Sequence, residues 1–532
     1  MEAVGRTELR ARTSSQADVA LWVTILLLVM GLGLRARGFL FLKISFWEDE
    51  AAWAMRLLEW PLKNQTIRPM GFMAISKLLA KLLSPSETVL RAQPWLAGVA
   101  SLAMSPFLAK RLFTSTGARL LFVAAIALHP GAIDLSKEFK PYSCGLALHM
   151  AFLLLTLRYL EQRRRLDLGL LLGLLSVSTL FSQDTLFAYP GVFGILLLDA
   201  WRKRELARLL AIGSSAVAIL ALLGTLYALV WSHTVQTGDG TEEYWGNKYD
   251  VFFVKGDGQG HSRAAWTLQR LGDIVSMPGM RRETWKGHAL SEHAVSELQN
   301  IDMSVWRTVA LCGIALLLYR RRARDAVLLL GPLAVLTVFN VLGYWPLGAF
   351  RTNLFVVVYA CGIAAAAFDR ERDRVDGWEL FPAGVLVIIP FLVLGYTTHG
   401  HKVSSMAGDS AFLPALQTLL SGAHAVDGQK AQLALDNASC APWRYYTKYS
   451  PDPALVEQLD QRFDAHCTKN LNGIVHVLHK GLKQPGARAF VLLSRSRTMA
   501  DVQERLPSDL MIEKQTLVGR HTQLVVTVKK HD

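Results

Sequence analysis

Charged residues are scarce in this 532-residue chain: Asp, Glu, Lys and Arg make up 19% of it, whereas 52% is hydrophobic. An average soluble domain carries about 25% charged residues, so a single soluble globule is excluded. Intrinsic disorder is excluded as well, because disordered chains have low hydrophobicity. The apolar residues fall in stretches long enough to cross a bilayer, which takes about 20 residues per helix. The composition therefore indicates an integral membrane protein, with the lipid bilayer as a partner.

The sequence also lacks the short motifs of nucleotide chemistry. It has no Gly-Lys-Ser/Thr phosphate loop, no dinucleotide fingerprint and no strand–Ser–helix nucleophile elbow. Binding of ATP or a nucleotide sugar by those routes is excluded. We expect no cofactor and no metal site; a divalent metal stays an alternative that no residue pattern indicates. The net charge of +14 could suggest a nucleic-acid partner. The basic residues, however, lie in short blocks beside apolar segments, as the positive-inside rule predicts for a membrane protein, so we expect no nucleic-acid partner.

Cysteine is rare and odd in number, with five residues. Cys144, Cys312 and Cys361 lie inside apolar segments, where we expect buried thiols. Cys440 and Cys467 lie in the polar C-terminal region and can pair if that region faces an oxidising compartment. Two unpaired thiols are the alternative that the sequence leaves open.

The main feature of the sequence is a set of eleven apolar segments. The first, 20–34, follows Arg6, Arg10 and Arg12, and no small-residue cleavage site comes after it. We expect an uncleaved transmembrane helix with a cytoplasmic N-terminus. The other predicted spans are 92–109, 118–135, 142–160, 166–182, 186–200, 206–231, 304–319, 325–344, 352–368 and 379–397.

Basic blocks predict how these spans are oriented. Five blocks fall in every second connection: 110–111, 163–165, 202–204, 320–322 and 370–374. The positive-inside rule makes these connections cytoplasmic. An odd number of spans then puts the C-terminus outside. We expect a multi-pass protein of a bacterial inner membrane, with outer loops at 36–91, 130–141 and 232–303.

The chain is predicted to divide near residue 400. Residues 1–400 carry the spans and two amphipathic segments, 48–60 and 71–83, whose three- and four-residue apolar spacing predicts interfacial helices. Residues 401–532 are expected to form a small extracytoplasmic α/β domain. Its predicted strands are 431–437, 488–494 and 522–530, and its predicted helices are 441–449, 453–463 and 499–506.

Three adjacent carboxylates, Glu48, Asp49 and Glu50, follow the first span. They lie between an aromatic pair, Phe46 and Trp47, and an amphipathic helix, where water is scarce. A carboxylate in that position suits the removal of a proton from a hydroxyl. The alternative is a solvated helix N-terminus, which also favours acidic residues.

A second charged cluster lies in the turn 136–142, Ser-Lys-Glu-Phe-Lys-Pro-Tyr. Charged residues so near the hydrocarbon are costly and usually functional. Lys137 and Lys140 can hold a phosphate as point charges, and Tyr142 offers a hydroxyl donor at the interface. An ordinary interfacial turn is the alternative.

Two arginines, Arg68 and Arg351, stand at predicted outer boundaries. This position runs against the positive-inside bias, so each needs an anionic partner. A lipid phosphate would supply one. Snorkelling to ordinary headgroups is the alternative.

These motifs, in this order, resemble the GT-C superfamily of integral-membrane glycosyltransferases over about residues 15–400. The resemblance is to the branch that uses polyprenyl-phosphate sugars: protein O-mannosyltransferases, the lipid A aminoarabinose transferase and bacterial core-sugar transferases. Asp49-Glu50 matches the acidic pair of that family's first outer loop. The turn 136–142 matches its Ser-Gln-Glu-x-Arg-Pro-Tyr motif, and 344–351 matches its Tyr-Pro-x-Gly-x-x-Arg stretch. This chain departs in having Lys140 for the family's Arg and Trp345 before the proline.

The resemblance implies a GT-C-like architecture of about eleven transmembrane helices with interfacial helices. It implies inverting transfer of a hexose or pentose from a polyprenyl-phosphate donor to a hydroxyl of a glycan, glycolipid or protein on the outer face. Asp49 would be the general base, and Glu50 would support it. Glu138 would orient the acceptor or a lysine. The residues implied to bind the donor phosphate are Arg68, Lys137, Lys140, Tyr142 and Arg351.

Two other functions fit about eleven spans with charges at the membrane edge. A transporter or lipid flippase is one, but transporters usually bury their charged sites near the midplane and often consist of repeated halves. An O-antigen ligase or polymerase is the other. Such an enzyme would not need the Asp49-Glu50 pair, so substitution of Asp49 separates the two readings.

Overall fold

A computed structural model describes most of the chain as two compact units. The described residues are 2–41, 45–59, 61, 69–231, 262–277, 292–348, 351–370, 381–389, 412–422, 430–468, 470–482, 488–494, 502–518 and 521–528. Unit 1 is formed by Met1–Arg37, Thr66–Phe72 and Gln93–His399, and unit 2 by Gly38–Gln65, Met73–Ala92 and Gly400–Asp532. Each unit has its own core and is described by itself.

Unit 1 is helical throughout its described residues. Its helices are α1 (Glu2–Ala36), α4 (Glu87–Leu112), α5 (Thr116–Leu128), α6 (Pro130–Asp134), α7 (Tyr142–Gln162), α8 (Arg165–Ser178), α9 (Tyr189–Arg202), α10 (Leu206–Leu226), α11 (Arg263–Val275), α12 (Glu292–Tyr319), α13 (Ala323–Val341), α14 (Val356–Ala366) and α15 (Phe381–Ala383), of which α4 begins in unit 2. Short 3-10 turns at Leu135–Lys137, Gln183–Ala188 and Arg351–Asn353 connect some of them.

Ten predicted spans coincide with helices, and the eleventh, 379–397, is described only over 381–389, where it is helical. Not all of these helices meet the requirements for crossing a bilayer. Among the described residues, five helices are long and apolar enough, or six if the bent pair α5–α6 is one span. The chain is therefore a multi-pass membrane protein. The count of eleven spans stays a prediction.

Helices α5 and α14 form the centre of unit 1. Every described residue of α14, and all but two of the thirteen in α5, are buried. Both are apolar all round, and a helix with no polar face is stable only when it is surrounded. Helices α1 and α14 both pack on α5, and α7 and α12 pack on α14. This core fixes the ends of α5, α7 and α14, where the motifs of the sequence lie.

One buried-cysteine prediction is wrong. Cys144 and Cys361 are buried, but Cys312 is exposed. Cys312 lies on α12, of which only 22% is buried within the protein over its apolar window. In a bilayer the outer surface of a spanning helix is as apolar as the core, so apolar neighbours do not distinguish a buried thiol from one that faces lipid.

Unit 2 combines helices with a five-stranded sheet. Its helices, the second of which begins in unit 1, are α2 (Glu48–Glu59), α3 (Met70–Leu82), α16 (Phe412–Gly422), α17 (Asn437–Lys448), α18 (Pro453–Arg462) and α19 (Leu471–Gly481). Its strands are β1 (Ala431–Leu435), β2 (Phe463–Cys467), β3 (Arg488–Ser494), β4 (Leu510–Val518) and β5 (His521–Val528). The predicted amphipathic helices are present as α2 and α3.

The strand order of the sheet is β2-β1-β3-β5-β4. Strand β1 is parallel to β2 and β3, and β5 is antiparallel to β3 and β4. The predicted α/β fold of the C-terminal region is confirmed, with β1, β3 and β5 where the apolar runs placed them. A disulfide joins Cys440 on α17 to Cys467 at the end of β2, which resolves the pairing that the sequence left open.

Candidate active site

The second motif begins where α5 is interrupted. Residues 118–135 are predicted to form one span. In the structure the helix breaks at His129-Pro130, and the axes of α5 and the following helix differ by 48°. Proline cannot donate the next helical hydrogen bond, so the carbonyls at the end of α5 need other partners. Arg35, fully buried, donates to the carbonyl oxygens of Ala127 at 3.0 Å and Ile126 at 3.2 Å. The last turn of α1 thus supports the bend that leads into the motif.

The motif itself is a buried, charged turn, which we call the cationic turn (residues 134–142). Lys137 and Lys140 are 4% and 2% exposed. The Lys137 Nζ lies 3.5 Å from an Asp134 carboxylate oxygen. Glu138 is half-buried, and its carbonyl accepts a 2.7 Å hydrogen bond from the Lys140 backbone N–H, which tightens the turn. Ionised side chains are therefore concentrated where water is largely excluded, which strengthens their interaction with a charged ligand.

Arg351 adds a third cation to this region. Its guanidinium carbon lies 6.0 Å from the centre of the Tyr142 ring, within the range of a cation–π contact. Tyr142 is the first residue of α7, and Arg351 begins the 3-10 turn that leads into α14. Two segments that are 209 positions apart in the chain therefore meet at this point, as the predicted phosphate site requires.

A buried hydrogen bond joins α7 and α14 two turns away from these residues. His149 Nδ1 lies 2.6 Å from the Tyr359 hydroxyl, and the His149 ring stacks on Phe355 with 4.6 Å between centroids. Because His149 follows Tyr142 by seven residues and Tyr359 follows Arg351 by eight, this contact fixes the register of both helices behind the motif.

The first motif lies at the N-terminus of α2 in unit 2. We call Glu48, Asp49 and Glu50 the acidic turn. Glu48 is exposed, Asp49 half-buried and Glu50 buried. Consecutive residues of a helix point about 100° apart, so the three adjacent carboxylates have different surroundings. The helix dipole favours acidic residues at this end, but that explanation does not account for the burial of Glu50.

Glu50 is buried because Arg91 neutralises it. The Arg91 Nε and Nη2 donate to the two Glu50 carboxylate oxygens at 2.8 and 2.5 Å. Nη2 also reaches the Ser45 carbonyl at 3.3 Å, and the guanidinium lies over Phe46 at 4.8 Å. Such a bidentate pair is directional. It anchors the first turn of α2 and with it the backbone of Asp49.

Helix α17 of the C-terminal region packs on α2 within the same unit. The Tyr446 hydroxyl accepts from the Phe46 backbone N–H at 2.9 Å and donates to Glu87 at 2.7 Å. Burial, and then the Glu87 carboxylate, raises the pKa of Tyr446 well above its usual value, so the phenol stays a neutral donor. The Tyr445 hydroxyl donates to the Pro85 carbonyl at 2.6 Å.

The predicted site residues thus fall into two described groups. In unit 1 the structure places Lys137, Glu138, Lys140 and Tyr142 in one turn and brings Arg351 to Tyr142. In unit 2, Asp49 and Glu50 are neighbours in the acidic turn. Arg68 lies outside the described residues. Among the described residues, no three His, Cys, Asp or Glu side chains converge as metal ligands would, and the absence of a metal requirement stays a prediction.

Sequence reasoning missed Arg91 and Asp134. Arg91 directly precedes the predicted outer end of a span, at 92–109, so the signal that selected Arg68 and Arg351 applied to it as well. Asp134 lay inside a predicted span, where an intramembrane carboxylate is itself a functional signal.

No family model matches the sequence, and no curated protein matches it. Among solved structures the chain is similar to ArnT from Cupriavidus metallidurans in the apo state, with 13% identity, a TM-score of 0.52 and coverage of 97% of this chain and 98% of that one. The same protein bound to undecaprenyl phosphate gives 12% identity, a TM-score of 0.45 and the same coverage. The apo oligosaccharyltransferase of Archaeoglobus fulgidus gives 12% identity, a TM-score of 0.42 and coverage of 89% and 69%.

The first of these similarities extends over nearly the whole length of both chains, including the C-terminal region. ArnT is a lipid A aminoarabinose transferase and a member of the GT-C superfamily. The resemblance predicted from the sequence motifs is therefore confirmed at the level of the fold: this chain has the fold of ArnT.

Proposed function

We propose that the chain is a membrane glycosyltransferase that moves a sugar from a polyprenyl-phosphate-linked donor to an acceptor hydroxyl on the outer face of the membrane. The observation that carries the proposal is the buried cationic turn, with Arg351 against Tyr142, in a protein with the fold of ArnT. Lys137, Lys140 and Arg351 bring three basic side chains to these motifs, and basic side chains of this kind bind phosphate groups.

The donor phosphate is the leaving group of the reaction. When the bond between the anomeric carbon and the phosphate oxygen breaks, the negative charge on the phosphate grows. Fixed cations in a water-poor site stabilise that developing charge without reorganising. Lysines act here as point charges and the arginine as a fork, so Arg351 would set the orientation of the phosphate. The Tyr142 hydroxyl would donate to one of its oxygens.

The acceptor needs a base, and Asp49 is our candidate. The acceptor hydroxyl would give its proton to the Asp49 carboxylate while its oxygen attacks the anomeric carbon. The carbon–phosphate ester bond breaks in the same displacement, and polyprenyl phosphate leaves with the electron pair. One displacement inverts the anomeric centre. Glu50, held by Arg91, would position Asp49, and Glu138 would orient the acceptor or a lysine.

The disulfide between Cys440 and Cys467 supports an extracytoplasmic C-terminal domain. Disulfides persist in the bacterial periplasm and outside cells and are rare in the cytosol. The basic blocks of the sequence predict the same orientation. We therefore propose a bacterial inner-membrane protein with a cytoplasmic N-terminus.

The test is a transfer assay with the purified protein in lipid nanodiscs. Mass spectrometry of co-purifying lipids would first identify the donor: a polyprenyl-phosphate sugar supports the proposal, and a diphosphate-linked glycan would indicate a ligase or polymerase instead. Transfer is then measured for the natural protein and for Asp49→Asn, with Glu48→Gln as the matched control because Glu48 is its exposed neighbour. Movement of the lipid across the bilayer without any glycosylated product would indicate a flippase.

A further inference from the structure

The loop before Arg351 is held by a single buried side chain, Asn353. Its amide nitrogen donates to the carbonyl oxygens of Pro346 at 2.9 Å and Gly348 at 2.7 Å. Its amide oxygen accepts from the Trp345 indole N–H at 2.8 Å. Both N–H groups and the carbonyl of the side chain are used, and Asn353 is fully buried. One residue therefore fastens three positions of the loop to the turn that begins with Arg351.

Trp345 is fixed on its other side as well. Its backbone carbonyl accepts a 2.8 Å hydrogen bond from the Asn340 side chain on α13. Its ring meets Phe187 edge-on at 5.3 Å, and Phe187 stacks on Phe355 at 5.4 Å. The tryptophan that separates Tyr344 from the proline in this sequence thus has a definite place in the structure, against Phe187, which in turn stacks on Phe355 just before α14.

The backbone of the loop needs this support. Gly348 has a φ of +134°, a conformation that residues with a side chain rarely adopt and that glycine pays for in chain entropy. The backbone conformation that the residues of the loop prefer therefore does not by itself hold the loop in this path. The hydrogen bonds from Asn353 to the carbonyls of Pro346 and Gly348 supply the constraint from two residues beyond Arg351.

We propose that Asn353, with Trp345 as its partner, is a positioning residue that presets Arg351 for the donor phosphate. The inference rests on the proposed function, because it needs Arg351 to bind the donor. Asn353 and Arg351 are the last and first residues of one 3-10 turn, Arg351–Asn353. Any shift of the loop therefore moves the guanidinium, and a charge-assisted hydrogen bond depends steeply on the angle and distance of its donor.

Three variants separate this role from a general effect on stability. Asn353→Asp keeps the acceptor for Trp345 but places an oxygen against the carbonyls of Pro346 and Gly348. Trp345→Phe removes the indole hydrogen bond and keeps a smaller aromatic ring beside Phe187, so it remains informative if Asn353→Asp fails to fold. Tyr189→Phe is the matched control, since it removes a buried hydrogen bond to Ser178, at 2.9 Å, elsewhere in unit 1.

The experiment measures the Kd of undecaprenyl phosphate for the full-length protein in nanodiscs, together with its thermal midpoint. Arg351→Ala should raise the Kd about 10- to 150-fold, as expected for loss of a charge-assisted hydrogen bond. Asn353→Asp should raise it by up to the same factor, because a residue that acts through Arg351 cannot cost more than Arg351 itself. Trp345→Phe should raise it less, and Tyr189→Phe should leave it within about twofold of the natural value.

The decisive measurement is the double variant. If Asn353 acts through Arg351, adding Asn353→Asp to Arg351→Ala changes the Kd no further. Independent, additive effects, or unchanged binding in both Asn353→Asp and Trp345→Phe, would overturn the positioning role while Arg351 kept its own. If the natural protein does not bind the lipid, or if Arg351→Ala binds it normally, the proposed donor site itself is wrong and the positioning role falls with it.

Discussion

Arg91 donates two hydrogen bonds, of 2.8 and 2.5 Å, to the buried carboxylate of Glu50 in the first turn of α2. This pair assigns different tasks to adjacent carboxylates. Both Glu50 carboxylate oxygens accept hydrogen bonds from an arginine that also lies over Phe46. Asp49, next to it and half-buried, is the carboxylate whose position the pair fixes. This geometry supports our proposal that Asp49 is the base and Glu50 its support.

Asp49→Asn should abolish most of the turnover and leave the fold intact. The amide keeps the size and most of the hydrogen bonds of the carboxylate but cannot take the acceptor's proton. General-base catalysis contributes about 10²–10⁴-fold, and we expect kcat to fall by that order with an unchanged Kd for undecaprenyl phosphate. The exposed Glu48, changed to Gln, serves as the control. Normal turnover in Asp49→Asn together with an inactive Glu138→Gln would move the base to Glu138.

Glu50 and Arg91 should behave as a stability pair. Removing one partner of a buried ion pair leaves an uncompensated charge and costs about 3–5 kcal/mol. We therefore expect Glu50→Leu and Arg91→Met each to lower the thermal midpoint strongly in detergent. The double variant should regain much of the loss, because both charges are gone. If the two losses simply add, the pair observed in the structure does not contribute to stability.

Much of unit 2 could be predicted from apolar patterning. Helices α16 and α19 were not predicted, and the two strands that were missed share one cause. Strands β1, β3 and β5 are the three inner strands of the sheet and carry continuous apolar runs. The two missed strands, β2 and β4, lie at its edges. Strand β2 has the sequence Phe-Asp-Ala-His-Cys, and most of β4 is exposed or half-buried. An edge strand is paired on one side only, so its sequence needs fewer apolar residues.

The sequence could predict which charged residues belong to the candidate site, but not which of them pair with each other. Charge at a membrane boundary selected Lys137, Lys140 and Arg351, because such charges are costly without a function. That Arg91 pairs with Glu50, 41 positions away, depends on the packing of α2 and is not encoded in local spacing. The roles of Trp345 and Asn353 likewise follow from a loop path that only the folded chain defines.

Asp369 should stabilise unit 1 by holding Thr114 and Ser115, the two residues that precede α5. One of its carboxylate oxygens accepts from the backbone N–H groups of Thr114 at 2.9 Å and Ser115 at 2.8 Å, and the other is bound by Arg322. The first oxygen also accepts from the Thr114 hydroxyl at 2.9 Å, so Asp369→Asn removes the charge from four hydrogen bonds in a buried position. We expect a loss of about 1.5–3 kcal/mol, measured as a lower thermal midpoint in detergent.

The control for Asp369 is another aspartate–arginine pair of unit 1. Asp199 pairs with Arg163, and the two side chains are each 21% exposed, against 2% for Asp369. Partly exposed pairs contribute about 0–1 kcal/mol, so Asp199→Asn should have the smaller effect. Equal losses in the two variants would show that burial of Asp369 does not matter.

The orientation of the chain gives the last prediction. Alkaline phosphatase folds to an active enzyme only where its disulfides form, so a fusion of it after Asp532 should be active in the proposed topology. A fusion after Lys203, in the predicted cytoplasmic connection between α9 and α10, should be inactive and serves as the internal control. Reaction with a membrane-impermeant thiol reagent checks the same point independently: after mild reduction in intact cells, Cys440 and Cys467 should be labelled, because the C-terminal domain lies outside. An inactive fusion after Asp532, with labelling of these cysteines only after lysis, would place the sheet in the cytoplasm. That result would reverse the orientation and remove the acidic and cationic turns from the outer face.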